Sequence, residues 1–105
     1  MAGEKRNTDE FPEHLWIGRN VQTRRAQLGL TQHELAKLVK TSQPYLGHLE
    51  GARVNATVEV LARIAKALQT DAATLLMTEA EAAVRFGKQT PNVHLAQQQL
   101  VAMGE

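Results

Sequence analysis

The fold is decided by a run of twenty residues that reads Thr31-Gln-His-Glu-Leu-Ala-Lys-Leu-Val-Lys-Thr-Ser-Gln-Pro-Tyr-Leu-Gly-His-Leu-Glu50. Thr31 and Glu34 have the spacing of a capping box, in which the hydroxyl and the carboxylate each bind a free backbone N–H at a helix start. Ser42 and Pro44 mark a second start, because serine caps well and proline fits the first helical turn. The run therefore predicts two short helices joined by a tight turn.

Three more short helices are predicted around this pair. The first covers about Glu13 to Leu28, buries Ile17 and Val21, and is stopped by Gly29. The fourth begins at the cap Thr57 and carries the apolar positions Val58, Leu61, Ile64, Ala65 and Leu68. The fifth begins at the cap Asp71 and carries Leu75 and Leu76. Because no β signal of any length is present, the sequence predicts an all-α domain of five helices with short connections.

Residues 78–105 carry helical signals of their own. Thr78 and Glu81 form another capping box, and Asn92 caps a last helix after a turn. The apolar positions of that helix are Val93, Ala96, Leu100 and Met103. Helices shorter than roughly 12–15 residues are marginal alone, so this segment must pack on something. We predict a flexible arm over 1–12, a domain over 13–77 and a helical extension over 78–105.

Composition excludes several classes of protein. The chain has 105 residues, 43% of them hydrophobic and 22% charged, which suits one globular domain. It has no cysteine, so disulfide scaffolds, thiolate metal sites and cysteine nucleophiles are excluded. No apolar run is long enough to span a membrane, and the N-terminus lacks the apolar core of a signal peptide. We therefore expect a cytoplasmic protein with no membrane partner.

Charge is distributed unevenly, although the net charge is only +1. Residues 14–54 hold six basic and two acidic side chains, whereas residues 1–13 and 71–105 each hold two basic and four acidic ones. A basic middle between acidic ends indicates one face for an anionic partner.

The two central helices have the layout of a helix-turn-helix, with a small residue, Ala36, where the helices approach each other. This arrangement places the second helix in a DNA major groove with its first residues at the base edges. Residues 17–76 resemble the Cro and phage-repressor family of helix-turn-helix proteins, also called Xre-like. The resemblance is carried by Arg25, by Leu28-Gly-Leu-Thr-Gln-His-Glu-Leu-Ala36, by Ser42-Gln-Pro-Tyr-Leu46, by His48-Leu-Glu50, and by Leu61–Leu68 and Asp71–Leu76. It implies a repressor-like DNA-binding domain.

The chain departs from the family pattern in its loops. The turn between the central helices has Lys40 where the family usually has glycine, so a lysine there must adopt a left-handed backbone. The glycine that follows the second helix comes one place early, as Gly51, with Ala52 at the usual site. Ala56 replaces a common proline.

The resemblance also implies functional residues. An arginine at position 25 pairs in this family with the glutamate that closes the recognition helix, here Glu50, and a guanidinium suits such a bidentate pair. The predicted base-contacting residues are Gln43, Pro44, Gly47 and His48; Gln43 matches adenine, Pro44 offers apolar contact to a thymine methyl, and Gly47 leaves room. The predicted phosphate-contacting residues are Thr31, Gln32, Lys40, Tyr45, Arg53 and Asn55. For Tyr45 a packing role is an equal alternative, and Trp16 is assigned to core or interface.

No catalytic site is predicted. The four histidines form no metal-spaced pair, no glycine-rich phosphate loop is present, and the only serine, Ser42, is needed as a cap. We therefore predict no enzyme activity, no cofactor and no bound metal.

The predicted function is sequence-specific binding of double-stranded DNA by a homodimer that regulates transcription, more often as a repressor. Two recognition helices related by a two-fold axis read a palindrome with half-sites roughly 34 Å apart. The candidate dimer residues are Leu75, Leu76, Ala80, Val84, Leu100 and Met103. Packing of residues 78–105 within the chain, on the first helix, is an alternative. An antitoxin that also binds a toxin protein through its extension, or a restriction-modification controller, is the alternative function.

Overall fold

The protein, as a computed structural model, is described over residues 12–104, and the predicted arm therefore lies outside the described residues apart from Pro12. This part of the chain contains helices and no strand. The helices are α1 (Pro12–Gln27), α2 (Gln32–Leu38), α3 (Gln43–Glu50), α4 (Val58–Ala67), α5 (Ala72–Leu75), α6 (Glu79–Lys88) and α7 (Val93–Ala102). The all-α prediction is confirmed, with five helices followed by a helical extension.

Side-chain caps start the helices at the predicted residues. Thr31 accepts from the backbone N–H of Glu34, whose carboxylate accepts from the Thr31 N–H, so the predicted capping box is present. The other N-caps are Ser42, Thr57, Asp71, Thr78 and Asn92. The Asp71 carboxylate accepts from the backbone N–H of Thr74 and also from the Thr74 hydroxyl. These hydrogen bonds, the backbone one first, hold the pKa of Asp71 below its ordinary value. Each start is thus set locally by one side chain that binds free backbone donors.

Three described residues other than glycine have a left-handed backbone, which are Lys40, Ala52 and Gln69, and the first two flank α3. Lys40 has a φ of 61° between α2 and α3, and Ala52 has a φ of 62° after α3. The backbone N–H of Thr41 reaches the Ala36 carbonyl, and that of Arg53 reaches the His48 carbonyl, which closes each turn. The structure therefore places the left-handed turns at the positions where the sequence lacks the expected glycines.

The core lies between α1, the central pair and α4. Its members are all buried and include Ile17, Val21, Leu28, Leu35, Leu46, Leu49, Leu61, Ile64 and Leu68. Val58 departs from the predicted stripe, because it is the first residue of α4 and its side chain is 85% exposed. Trp16 is half-buried on α1.

The extension packs within the chain. Helix α6 lies against α1 and α5, and α7 lies against α2. Ala82, Phe86, Ala96 and Leu100 are the buried residues of these two helices. The alternative of intrachain packing therefore accounts for the inner side of the extension.

Arg24 holds the C-terminal end of α6 to the domain, and its side chain is fully buried. The guanidinium donates to the carbonyls of Leu68, Gln69 and Gln89 at 2.8, 3.0 and 2.6 Å. It also lies 5.1 Å from the centre of the Phe86 ring, an attractive cation–π distance. Burial lowers the pKa of Arg24. The carbonyls belong to the C-terminal ends of α4 and α6, where helix dipoles favour a cation.

No helix in the described range 12–104 combines the length and apolar character needed to cross a membrane.

Candidate nucleic-acid interface

Helix α3 presents a polar edge opposite its buried side. Leu46 and Leu49 face the core, whereas Gln43, Pro44 and His48 are exposed. Ser42 starts the helix by accepting from the backbone N–H of Tyr45 at 3.1 Å. The predicted base-contacting side chains therefore share one accessible edge, with Gly47 half-buried among them.

An ion pair fixes α3 against α1. Arg25 donates to both carboxylate oxygens of Glu50, from Nε at 2.7 Å and from Nη2 at 3.0 Å, and from Nη1 to the Leu30 carbonyl at 2.9 Å. The Arg25 and Glu50 side chains are 16% and 4% exposed. The pair implied by the family resemblance is present, and its fork geometry restrains the direction of α3. Gly18 allows the close approach, because a Cβ there would lie 2.5 Å from the Glu50 carbonyl oxygen.

The same carboxylate orients two amide side chains. Gln32 donates from Nε2 to the Glu50 Oε1 at 2.9 Å, and Gln43 donates from Nε2 to the Gln32 Oε1 at 2.7 Å. Arg25 is a pure donor, so the ionised Glu50 accepts from it and from Gln32. The amide oxygen of Gln32 must then face Gln43, and Gln43 must turn its NH₂ group inward. We call the chain Arg25–Glu50–Gln32–Gln43 the amide relay.

The relay leaves Gln43 equipped for a ligand. One of its two amide hydrogens is bound to Gln32, while the other hydrogen and the Oε1 atom remain available on the exposed edge. Gly47 borders the relay, because a Cβ there would lie 3.6 Å from the Gln32 Oε1. A side chain larger than methyl at this position would press on the two amides.

The predicted phosphate-contacting residues lie around α3. Lys40, Arg53 and Asn55 are exposed at the turns before and after it. The Thr31 hydroxyl caps α2, and the Tyr45 hydroxyl donates to the Asn55 carbonyl at 3.4 Å while its ring packs on the core. The tyrosine hydrogen is thus already used, which favours the packing role for Tyr45.

The predicted dimer residues separate into two groups. Leu75 and Leu100 are 0% and 2% exposed and belong to the chain's own core, which corrects the expectation that they face a partner. Their burial follows from the packing of α5 on α1 and of α7 on α2. The exposed group comprises Leu76 at 41%, Val84 at 61%, Met103 at 42% and Ala80.

Sequence reasoning missed three structural features of the site. Gln32 was predicted to contact a DNA phosphate, and its hydrogen bond to Glu50 was not foreseen. Gly18 and Arg24 were given no role. The small size of Gly18, directly after Ile17 on α1, was the only available signal for the helix contact. Arg24 lies three residues after Val21 and four before Leu28, so its helical spacing was the signal for burial, although arginine is usually exposed.

No group of three potential metal-ligating side chains occurs within residues 12–104.

Comparisons with known proteins agree with this geometry. A sequence model described as a helix-turn-helix domain matches residues 16–76. One crystal structure of the clp gene regulator ClgR from Corynebacterium glutamicum is 33% identical, with a TM-score of 0.60, over 69% of this chain and 88% of that chain. A second crystal structure of ClgR is 31% identical, with a TM-score of 0.60, over 87% of this chain and 88% of that chain. None of the curated proteins matches the chain significantly.

Proposed function

We propose that this protein regulates transcription by binding a palindromic operator as a homodimer. The premise is that the chain belongs to the helix-turn-helix domain family of DNA-binding proteins. Repression is the outcome we assign, because a dimer on an operator excludes other proteins from it. The proposal includes no catalytic step.

The amide relay is the observation that carries this proposal. Gln43 has one free amide hydrogen and a free amide oxygen on the exposed edge of α3. An adenine in the major groove offers N7 as an acceptor and the N6 amino group as a donor, which match that pair. Because Gln32 and Glu50 already orient the amide, little side-chain entropy remains to be lost on binding. We infer that Gln43 reads an adenine, with Pro44 and His48 contacting neighbouring bases.

The exposed edge of α3 that carries Gln43, Pro44 and His48 is called the reading edge from here on. Contacts to the DNA phosphates would come from the residues around it. Lys40, Arg53 and Asn55 are exposed and flank α3. Gln32 stands at the N-terminus of α2, where helix N–H groups favour an anion. These residues would position α3 in the groove without reading sequence.

We further assign the domain to the Cro and phage-repressor type. The support is the bidentate pair of Arg25 with Glu50, together with the capped α2 and the left-handed turn at Lys40. In this assignment, residues 13–77 form the DNA-binding domain and residues 78–105 form the helical extension that follows it.

The dimer surface that we propose is the outer face of α5 and α6. Leu76, Ala80 and Val84 are exposed there, and Glu81 and Arg85 lie beside Val84. In an antiparallel pair of α6 helices each glutamate would face the partner's arginine, which makes the surface self-complementary. An antitoxin would use the same exposed face for a toxin protein, so the oligomeric state of the isolated protein separates the two functions.

Selection from randomised duplex DNA tests the proposed function. The full chain should enrich an inverted repeat with half-sites about one helical turn apart. Its affinity for that duplex should exceed its affinity for a scrambled duplex of equal composition by at least about a thousandfold at physiological salt. Failure to enrich any sequence, or equal affinity for both duplexes across salt concentrations, would contradict the proposal.

A further inference from the structure

A groove lies on the domain away from the reading edge. It has a volume of about 370 Å³ and runs between α2, α4 and α7. Its apolar lining comes from Leu38, Ala67, Ala102 and Met103. No residue of α3 lines it, so DNA in contact with Gln43 leaves it open. Cavities that hold small ligands begin at about 300 Å³, which this groove exceeds.

Among the described residues, two cations and no carboxylate line this groove. Arg63 and Lys66 stand one turn apart on α4 at its edge. Lys66 is exposed and makes no hydrogen bond or ion pair with the described residues. An apolar channel with two cations at its edge matches a ligand that has an apolar body and an anionic end.

Arg63 supplies an independent observation that also indicates an anion. Its Nη1 donates to the Val39 carbonyl at 3.3 Å, and its Nη2 lies 3.3 Å from Glu59, whose side chain is 81% exposed. Its Nε atom is buried and, among the described residues, has no hydrogen-bond partner. A buried donor without an acceptor is costly, so the described residues leave the Arg63 guanidinium incompletely satisfied. The solvated Glu59 pair is weak, so the guanidinium can exchange that carboxylate for one in the groove.

We propose that this groove binds a small anionic amphiphile, a carboxylate with an unbranched apolar chain. The carboxylate binds Arg63 and Lys66, and the chain lies along Leu38, Ala67 and Met103. The ligand contacts α2, the first helix of the DNA-binding motif, and α7, the last described helix, at the same time. It therefore ties the extension to the motif without touching the reading edge.

Titration of the full-length protein with octanoate, followed by amide chemical shifts, tests this proposal. We expect saturable shifts centred on Leu38, Ala67 and Met103. Octanol has the same chain without charge, and acetate has the charge without a chain, so each should bind at least tenfold more weakly. Octanol binding as tightly as octanoate, or octanoate shifts that do not saturate or that centre on Val84, would overturn the proposal.

Two variants and one control assign the charge contacts. Lys66→Gln changes an exposed side chain without a described partner, so the fold should persist, and octanoate affinity should fall at least threefold. Arg63→Gln should lower it at least tenfold. Lys88→Gln removes an exposed lysine outside the groove and should leave the affinity unchanged. Wild-type affinity in both groove variants, or an equal loss in Lys88→Gln, would contradict a site at Arg63 and Lys66.

Discussion

Single residues decide how closely the motif is held to the rest of the domain. The pair of Arg25 with Glu50 was predictable, because both types stand at the family positions and a bidentate bond restricts their geometry. The burial of Arg24 was missed because arginine is usually exposed, although Arg24 continues the helical spacing of Val21 and Leu28 on α1. The exposure of Val58 was missed because a stripe counted from periodicity alone ignores that the first helical residue turns away from the core.

Gly18 should resist even the smallest enlargement. Gly18→Ala places a Cβ 2.5 Å from the Glu50 carbonyl oxygen and 2.8 Å from that of Leu49, both rigid backbone atoms. We expect a loss of about 1–3 kcal/mol in the free energy of unfolding, measured with urea. Gly87→Ala is the matched control, because a Cβ there meets no described atom within 4 Å, and it should gain up to about 1 kcal/mol. Equal effects of the two changes would refute the close contact.

Lys40 carries backbone strain at the turn of the motif. Its φ of 61° is unfavourable for a side-chain-bearing residue and free of strain for glycine. Lys40→Gly should raise the free energy of unfolding by about 0.5–1 kcal/mol, because relief of strain exceeds the added flexibility of the unfolded chain. Lys40→Ala removes the same side chain without that relief and should show no gain. If the alanine variant gained as much, the effect would come from the lost charge.

At the scale of elements, local sequence signals predicted where the helices begin better than they predicted how the helices pack. The caps Thr31, Ser42 and Thr57 act on the backbone beside them, so sequence alone located those helix starts. The place of α6 and α7 depends on contacts between residues far apart in sequence. Gln69, for example, exchanges two hydrogen bonds with the backbone of Asn92, and no periodicity reports such a contact.

We expect Arg24 to link the C-terminal end of α4 to the C-terminal end of α6. Arg24→Met leaves the carbonyls of Leu68, Gln69 and Gln89 without their donor in a buried setting. We expect a loss of about 2–4 kcal/mol in urea unfolding, with faster hydrogen exchange in α6. Arg19→Met is the control on the same helix. Its side chain is 55% exposed in a surface pair with Glu79, so less than about 1 kcal/mol should be lost. Similar losses from both variants would remove the special role of Arg24.

For the whole molecule, two surfaces have separate assignments, the reading edge of α3 for DNA and the outer face of α6 for a second copy. The sequence analysis named candidate residues in both regions, but it could not separate Leu75 and Leu100, which are buried, from Leu76 and Val84, which are exposed. All four are apolar at helical spacings. Only the three-dimensional packing shows which of them the chain has already covered.

A charge on the outer face of α6 should dissociate the proposed dimer. Val84→Glu places a carboxylate in the proposed interface, where an apolar side chain would otherwise be buried, so the dissociation constant measured by sedimentation equilibrium should rise at least tenfold. Val58→Glu is the matched control, because this valine is 85% exposed at the start of α4. An unchanged dimer in the Val84 variant would place the interface elsewhere. A wild-type chain that is monomeric at all concentrations would favour the antitoxin function.

The most direct test of the central claim compares Gln43→Ala with wild type on the selected duplex and on a scrambled one. The variant should lose about 1–3 kcal/mol on the selected duplex, with relaxed preference at one base pair and little change on scrambled DNA. Gln97→Ala, an exposed glutamine on α7, should bind both duplexes as wild type does. Equal weakening of Gln43→Ala on both duplexes, or no weakening on either, would contradict base reading by the amide relay.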